Sequence, residues 1–281
     1  MSDTTPLVIY HGNCIDGFTA AWIAKKAMPD AELIPGKYGD PFPDDTTFAG
    51  RDVFILDFSY PRHMMSLIDA CARSLLVLDH HKTAQEACEG LDFCKFDMEQ
   101  SGAGMAWRHF FPDKPMPMWI QCVEDRDLWN WKLDDTAEIH AFLASLDQTI
   151  ENWTSVSKAK YQDMFFEGSV ILCVLRQQQE AALEDAFICE IGGHTVGAVN
   201  CRYEITSDTL NAMLRRFKNH EILPTLDYAI GFYLGGDGTW RYSVRSLPEF
   251  DCSEIAKKFD GGGHAQAAGF RLSYLLKELH E

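Results

Sequence analysis

Acidic and histidine side chains stand where several apolar segments of this sequence end. In the segment LLVLDHHKTA (75–84), large apolar residues give way directly to an aspartate and two histidines. Similar residues end or closely follow two earlier apolar segments, and the whole set is His11, Asp16, Asp57, Asp79, His80 and His81. Imidazole and carboxylate groups without a thiolate suit Mn²⁺ and, less specifically, Fe²⁺, Co²⁺ or Zn²⁺. Because such ions polarise phosphoryl oxygens and activate water, these residue types favour metal-dependent hydrolysis of a phosphate ester.

Each residue has a simpler structural explanation when it is considered alone. A single aspartate at a strand end, such as Asp57, more often caps a turn or a helix, and a single histidine such as His11 more often has a structural role. Their coincidence at the ends of several predicted strands favours a site. A further candidate lies in IQCVEDRDLWN (120–130), where Asp125 or Asp127 follows an apolar helical segment.

The elements that must position these residues alternate along the first half of the chain. Predicted strands cover 7–11, 31–36, 52–58, 74–80 and 92–97, and predicted helices cover 17–28, 61–72, 102–111 and 116–125, the second with Pro61 at its first helical position. This alternation predicts an α/β fold with a doubly wound, mostly parallel sheet. The carboxyl ends of parallel strands meet at one edge, where open α/β folds bind ligands, so a single cluster is expected there.

The second half predicts a helical region followed by a smaller α/β domain. A helical pattern runs from about residue 134 and ends in a long helix over 165–186. Beyond it we predict two strands paired across Gly192–Gly193, a helix over 210–219, a hairpin over 226–247, a glycine-rich loop and a helical tail. The predicted boundaries are 1–135 for a catalytic, metal-binding domain, 136–186 for a helical linker region and 187–281 for a substrate-binding domain.

Composition limits the partners of the protein. With 281 residues, of which 46% are hydrophobic, the chain can form a large core. Its net charge of −17 argues against a long nucleic-acid duplex, because that interaction needs many cations against the phosphates. The nine cysteines include no C-x-x-C pair, and neither a membrane span nor a secretory signal is evident. We expect a cytoplasmic protein with no membrane partner, and aromatic residues in the linker region are compatible with a homodimer.

Several motifs, in a fixed order along the chain, resemble the DHH phosphoesterase superfamily, specifically its branch with a C-terminal DHHA1 domain. The resemblance covers nearly the whole chain and is closest to the oligoribonuclease-like, or nanoRNase, members. Its motifs are HGNCIDGFTAAW (11–22), FILDFSYP (54–61), LDHH (78–81), SGAGMAW (101–107), VEDRDLW (123–129), RYSVRS (241–246) and GGGHAQAAGF (261–270).

The resemblance implies an N-terminal DHH domain with a manganese centre and a DHHA1 domain that presents the substrate. The implied metal ligands are His11, Asp16, Asp57, His80 and Asp125, with Asp57 as a bridging acid and Asp127 as a rival to Asp125. Asp79 is expected to orient an adjacent histidine, and His81 to face the scissile phosphate. The implied catalytic residues are therefore His81, Asp79 and Asp57.

One position departs from the family pattern. Members commonly carry D-x-D-G in the first motif, whereas Cys14 stands two residues before Asp16 here. Cys14 could act as a thiolate ligand, or Asn13 or water could fill that place instead. Two Mn²⁺ ions are preferred, with occupancy of the second left open.

The substrate-binding end of the second domain carries its own physical signals. Gly261, Gly262 and Gly263 allow close approach of an anion to backbone N–H groups, and His264 adds a side-chain donor. Arg245 is expected to end a strand facing this segment, where it could bind a phosphate through two hydrogen bonds. Ser101 is most simply a helix N-cap, with phosphate contact as an alternative.

The preferred function is hydrolysis of short linear oligonucleotides or dinucleotides, including pGpG-type signalling products, to nucleoside 5′-monophosphates. Alternatives within the same fold are a cyclic dinucleotide or cyclic mononucleotide phosphodiesterase and an adenosine 3′,5′-bisphosphate phosphatase. Inorganic pyrophosphatase and processive exonuclease activities rank below these, because such relatives have a different second domain or an additional nucleic-acid-binding module. An alternative of another class is a nucleotide-binding regulator with a decayed metal centre, of which Cys14 would be the first sign.

Overall fold

A computed structural model of the chain describes residues 5–37, 41–219 and 224–279. These residues form two compact units, Met1–Leu172 and Cys173–Glu281, which are described separately below. Among the described residues, no helix is both long enough and apolar enough to span a membrane.

The first unit is built on a sheet of parallel strands, as the alternation of strands and helices predicts. In the described part of the unit the strands are β1 (Leu7–His11), β2 (Glu32–Gly36), β3 (Asp52–Leu56), β4 (Ser74–Asp79) and β5 (Cys94–Phe96). Their order across the sheet is β2-β1-β3-β4-β5, and every neighbouring pair is parallel. This topology confirms the predicted doubly wound α/β fold.

Helices follow the strands of the first unit and continue into its C-terminal part. They are α1 (Ile15–Ala27), α2 (Arg62–Cys71), α3 (Lys82–Ala87), α4 (Gly102–Phe110), α5 (Met118–Asp127), α6 (Thr136–Ala144), α7 (Ile150–Val156) and α8 (Tyr161–Glu184), with a 3-10 turn at Asp45–Thr47. Pro61 immediately precedes α2 rather than occupying its first helical position. The predicted helical stretch from about residue 134 to 185 corresponds to α6, α7 and α8, and α8 runs from the first unit into the second.

Both faces of the parallel sheet are buried, which explains why its strands read as nearly continuous apolar runs. Side chains alternate along each strand, so Val8, Leu56 and Leu78 enter one core cluster. Their neighbours Ile9, Ile55 and Val77 enter another cluster. Helix α1 packs extensively on α4 within the first cluster, and that packing brings the beginnings of both helices to the edge of the sheet.

The second unit contains a mixed sheet. Its described elements are β6 (Phe187–Ile191), β7 (His194–Asn200), α9 (Tyr203–Lys218), β8 (Tyr228–Leu234), β9 (Trp240–Arg245), α10 (Ser253–Lys257), β10 (Gly262–His264) and β11 (Ala267–Leu272). The strand order is β10-β11-β9-β8-β7-β6, and only β7 and β8 are parallel among these described pairs. Gly192 and Gly193 both have positive φ, as a two-residue turn between β6 and β7 requires.

Two predicted elements of the second unit differ in the structure. The glycine-rich segment begins an edge strand, because Gly262, Gly263 and His264 pair with β11 instead of forming an open loop. The predicted C-terminal helix is reduced to a 3-10 turn at Lys277–Leu279, and the last two residues of that prediction lie outside the described residues. Backbone pairing with β11 therefore outweighs the weak strand propensity of glycine.

Candidate metal centre

The acids and histidines predicted from the sequence meet at the carboxyl edge of the parallel sheet. His11 is the last residue of β1, Asp57 directly follows β3, and β4 ends at Asp79, which His80 and His81 follow. Asp16 comes from the first turn of α1. Since the strands are parallel, residues far apart in the sequence lie close together at this edge.

Asp57 lies at the centre of this cluster. Its Oδ1 is 3.0 Å from Nε2 of His80, and its Oδ2 is 3.5 Å from Nδ1 of His11. The same Nε2 of His80 is 3.9 Å from Oδ2 of Asp16. Asp57 also has a left-handed backbone, with φ of 56°. Such a conformation costs about 1–3 kcal/mol in a non-glycine residue and is typical of functional sites.

Two groups of possible metal donors share Asp57. One comprises Asp16, Asp57 and His80, and the other comprises His11, Asp57 and His81. Within each group the donor atoms lie within 4.8 Å of one another, so each group can surround a single cation. A carboxylate common to two adjacent groups can bridge two ions, because each of its oxygens can bind a different one.

The oxygen atoms of the cluster fit a divalent cation. Asp16 Oδ2, Asp57 Oδ2 and Asp127 Oδ2 are buried and accept no hydrogen bond from the described residues. Buried carboxylate oxygens normally have a partner, because desolvation without one is costly. Oxygen and imidazole donors of this kind suit Mn²⁺, so the residues present match the ion implied by the sequence resemblance.

The electrostatics of the cluster show how unfavourable its negative charges are. Burial raises the pKa of Asp16 well above its usual range, and the carboxylates of Asp127 and Asp57 raise it further. Burial alone would lower the pKa of His80, but the charges of Asp127, Asp57 and Asp16 raise it to about 10. Burial alone would raise the pKa of Asp57, yet the nearby imidazoles of His80 and His11 hold it well below its ordinary value. Positive charge is therefore strongly favoured here.

Asp79 is hydrogen-bonded to His81. Its Oδ1 lies 2.7 Å from Nδ1 of His81 and also accepts hydrogen bonds from the backbone N–H groups of His80 and His81. Ser59 Oγ donates to Asp79 Oδ2 at 2.6 Å, so the carboxylate is fixed on both oxygens. The sequence predicts an orienting role for Asp79, and its contacts select His81 as the histidine concerned. Ser59 was not singled out from the sequence, although it lies within the FILDFSYP motif.

Asp125, predicted as a metal ligand, lies outside the donor cluster. Its carboxylate accepts hydrogen bonds from the backbone N–H groups of Lys132 and Leu133, and Thr136 Oγ1 donates to it at 2.5 Å. These contacts tie the chain after α5 to the helix and engage both carboxylate oxygens. Asp127 instead places its Oδ2 3.3 Å from Nε2 of His80. The geometry therefore favours Asp127, the rival left open by the sequence.

Exchanging each of these two acids for asparagine separates the two roles. We expect Asp127→Asn to lower Mn²⁺ affinity at least about 10-fold, since even residues that only support metal ligands are worth 10–100-fold. We expect Asp125→Asn to change the affinity less than about threefold but to destabilise the apo protein by about 1–3 kcal/mol through weakened buried hydrogen bonds. Calorimetric Mn²⁺ titration and thermal unfolding without metal measure these effects. The opposite pattern would return the ligand role to Asp125.

Helix α4 holds Asp16 through its first turn. Ser101 Oγ accepts a hydrogen bond from the N–H of Gly104 at 3.1 Å, which is the predicted N-cap. The N–H of Ala103 donates to Asp16 Oδ1 at 3.1 Å. Ser101 is fully buried, so its alternative role in binding phosphate has no exposed surface to support it. A Cβ on Gly102 would lie 2.3 Å from Cβ of Asp57, so only glycine allows this approach.

Cys14 lies just before α1 and belongs to neither donor group described above. Burial raises the pKa of its thiol well above the ordinary value, and the charges of Asp57, Asp127 and Asp16 raise it further. The thiol therefore lies close to the acids of the cluster, whose charges disfavour a thiolate.

Arg245 and His264, two of the substrate-binding residues predicted in the second unit, lie on one face of its sheet. His264 pairs with Ala267, and Ala267 pairs with Arg245, so the two basic side chains are separated by a single strand. Arg245 ends β9 as predicted, and its Nη2 donates to Ser207 Oγ at 2.6 Å. Gly263 has φ of 143°, and a Cβ there would lie 2.4 Å from the carbonyl oxygen of Ala267. Ser207 carried no signal in the sequence.

Comparison with known proteins supports the family resemblance found in the sequence. Residues 193–280 match the family model of the DHHA1 domain. The uncharacterized protein R106 of Acanthamoeba polyphaga mimivirus is 29% identical over 297 aligned positions, which cover 96% of this chain and 68% of that protein. Oligoribonuclease NrnB of Bacillus subtilis is 25% identical over 231 positions, which cover 72% of this chain. The match spans only 54% of the length of NrnB.

Solved structures share the fold at low sequence identity. The DHH domain of PF0399, a member of the s1p family of ribosomal proteins, superposes with a TM-score of 0.58 at 13% identity, covering 96% of this chain and 83% of that one. RecJ of Thermus thermophilus in complex with Mn²⁺ superposes with a TM-score of 0.50 at 14% identity, covering 95% of this chain and 49% of that one. The matched C-terminal domain, the similarity to NrnB and the shared fold support the resemblance to DHH/DHHA1 phosphoesterases that the sequence motifs indicate.

Proposed function

We propose that this protein is a manganese-dependent phosphodiesterase that hydrolyses short linear oligonucleotides or dinucleotides to nucleoside 5′-monophosphates. The observation that carries the proposal is the pair of donor groups that share Asp57. Two cations held by these groups would favour the displacement of one phosphate oxygen by another.

Manganese is preferred on the chemistry of the donors. They are carboxylate oxygens and imidazole nitrogens, and the thiol of Cys14 belongs to neither group. This donor set suits Mn²⁺ better than the softer ions that thiolates select. The structurally similar RecJ was solved in complex with Mn²⁺, which agrees with this preference.

Divalent cations bound between these residues would polarise a phosphoryl oxygen and activate water. The residues of the chain have separate tasks around them. Asp57 supplies an oxygen to each donor group, and Asp16 and His80 complete one of them. Asp79 holds the ring of His81 through Nδ1, which supports the role of His81 in facing the scissile phosphate.

The second unit supports a substrate with a phosphate near its end. Arg245 and His264 lie on one face of the sheet with only Ala267 between them in the row, so a small anion can contact both. Adjacent strands are about 4.8 Å apart, so these two basic residues are separated by about 10 Å of backbone. One pair of basic residues can hold a single phosphate group, whereas an extended polyanion needs many such contacts.

The overall charge supports a short substrate. A net charge of −17 repels a long nucleic acid, whose binding depends on many basic contacts. NrnB, the relative with a described activity, is named an oligoribonuclease. These two observations favour short oligonucleotides over the longer single strands.

A panel of substrates tests the proposal directly. The panel contains a dinucleotide, a heptanucleotide, a cyclic dinucleotide and adenosine 3′,5′-bisphosphate, each incubated with Mn²⁺ and resolved by chromatography. We expect the dinucleotide to be cleaved fastest, with mononucleotide products, and the activity to disappear with a chelator and to return with Mn²⁺. Asp57→Asn protein, purified in the same way, controls for contaminating nucleases.

Other outcomes of the panel would contradict the proposal. Cleavage confined to the cyclic dinucleotide or to the bisphosphate would assign the corresponding activity instead. Tight binding of the dinucleotide without turnover at any Mn²⁺ concentration would favour a nucleotide-binding regulator.

A further inference from the structure

The first turn of α4 is in contact with carboxylates on two sides. On one side, a Cβ on Gly102 would lie 2.9 Å from Oδ2 of Asp16, within the candidate metal centre. On the other side, a Cβ on Gly104 would lie 1.6 Å from Oε2 of Glu124. Two glycines two residues apart therefore let separate acidic groups approach the same turn, where the N-terminal end of the helix favours negative charge.

Glu124 is firmly fixed against this turn. Arg108 Nη1 and Nη2 donate to its two oxygens, each at 2.8 Å. The N–H of Ser101 donates to Oε2 of Glu124 at 3.2 Å. A bidentate arginine contact defines both the position and the orientation of a carboxylate, so Glu124 cannot rotate freely between α4 and α5.

Glu124 also connects two acids of the metal centre. It accepts a hydrogen bond from the N–H of Ser101, at the start of the same turn in which the N–H of Ala103 donates to Asp16. Within α5 it precedes Asp127 by three residues, so it lies less than one helical turn from that acid. Asp16 and Asp127 each have a buried oxygen without a hydrogen bond from the described residues. Their like charges repel one another, and a restraint on both helices is needed to keep them close.

We propose that Glu124, held by Arg108, is a positioning residue of the metal centre. It sets the separation of α4 and α5 at which Asp16 and Asp127 can bind the same cation. The inference rests on the proposed function, because it requires that the cluster binds metal. It assigns no contact between Glu124 and the ion or the substrate.

The alternative is an ordinary ion pair at the surface. Arg108 is 47% exposed, and exposed pairs contribute little to stability. Such a pair would change only the unfolding temperature when it is removed. Glu124 itself is only 16% exposed and accepts a backbone hydrogen bond at the start of α4, which distinguishes it from a freely solvated partner.

Mn²⁺ affinity measured by calorimetry on the full chain tests the proposal. We expect Glu124→Ala to weaken Mn²⁺ binding by 10–100-fold, as removal of residues that support metal ligands does. Glu124→Gln keeps an oxygen for the Ser101 N–H and should recover most of the affinity. Arg108→Ala should weaken binding in the same direction as Glu124→Ala, because it releases the carboxylate. Asp52→Ala removes another arginine–carboxylate pair, with Arg73, and should leave the affinity unchanged.

The outcomes separate this inference from the proposed function. Wild-type protein that binds no Mn²⁺ would refute the metal centre and the inference together. Wild-type protein that binds Mn²⁺, with Glu124→Ala or Arg108→Ala binding equally well, would refute only the positioning role. If Glu124→Ala fails to fold, as judged by circular dichroism without metal, the Arg108→Ala variant decides the question by the same titration.

Discussion

Replacing Asp57 with asparagine is expected to lower kcat/KM at least about 10³-fold, equivalent to about 4 kcal/mol of transition-state stabilisation. Asp57 is the residue common to both donor groups, so the change weakens both cation positions at once. Asparagine retains one oxygen and tolerates the left-handed backbone that Asp57 adopts. The loss therefore reflects the missing carboxylate and not a change in backbone conformation.

The same substitution should leave the metal-free fold nearly unchanged. Burial raises the pKa of Asp16, and repulsion from neighbouring acids, including Asp57, raises it further. Removing one charge relieves that repulsion on Asp16, and this gain opposes the loss of the contacts with His11 and His80 that lower the pKa of Asp57. We expect the unfolding temperature without metal to stay within about 4 °C of the wild type, which corresponds to about 1 kcal/mol for a domain of this size.

Thermal unfolding with and without Mn²⁺ completes this test. At a Mn²⁺ concentration about 100 times the dissociation constant, bound metal stabilises the wild type by about 2.7 kcal/mol, and Asp57→Asn should lose this increment. Asp52→Asn, at the opposite end of the same strand, is the matched control and should keep it. Retention of a tenth or more of the wild-type activity by Asp57→Asn would contradict a shared bridging acid.

The strand ends that carry the site were predictable because two independent patterns agree there. Apolar runs define the parallel strands, and the polar residues that end those runs must then fall at one edge. His11, Asp57 and His80 are placed in this way, and their distances follow from the topology. The parallel pairing of these strands can be predicted without the conformations of the loops between them.

The choice between Asp125 and Asp127 was not predictable, because both end the same helix. Residues two apart on a helix point in directions about 200° apart, so one faces the sheet edge when the other faces away. Which one does so depends on how α5 is rotated against its neighbours. The contacts of Asp125 with Lys132 and Leu133 reveal that rotation, and they involve a bend of the chain that the sequence pattern did not predict.

The strand formed by the glycine-rich segment was missed for a related reason. Glycine has little intrinsic strand propensity, so GGGH by itself predicts a loop. The neighbouring β11 supplies backbone partners and small side chains, and the register of Gly263 with Ala268 leaves no room for a larger residue at position 263. Pairing between distant backbone groups is a tertiary property, which local propensity does not contain.

Replacing Gly102 with alanine is expected to disrupt the metal centre, although helix propensity alone predicts the opposite. Alanine is favoured over glycine within a helix by about 1 kcal/mol. The added Cβ would lie 2.3 Å from Cβ of Asp57 and 2.9 Å from Oδ2 of Asp16, so two metal donors must move or the helix must shift. Overpacking of this kind costs about 1–3 kcal/mol, which exceeds the gain in propensity.

We expect Gly102→Ala to weaken Mn²⁺ binding by about 10²-fold or more. Mutation of residues that only support metal ligands already lowers metal affinity by up to about 100-fold, and this change displaces the ligands themselves. The metal-free unfolding temperature should fall by several degrees. Gly236→Ala is the matched control, because a Cβ at Gly236 would meet no atom within 4 Å. The metal centre and α4 are coupled because Gly102 has no Cβ. Wild-type affinity in Gly102→Ala would mean that Asp16 and Asp57 do not lie as close to position 102 as these distances indicate.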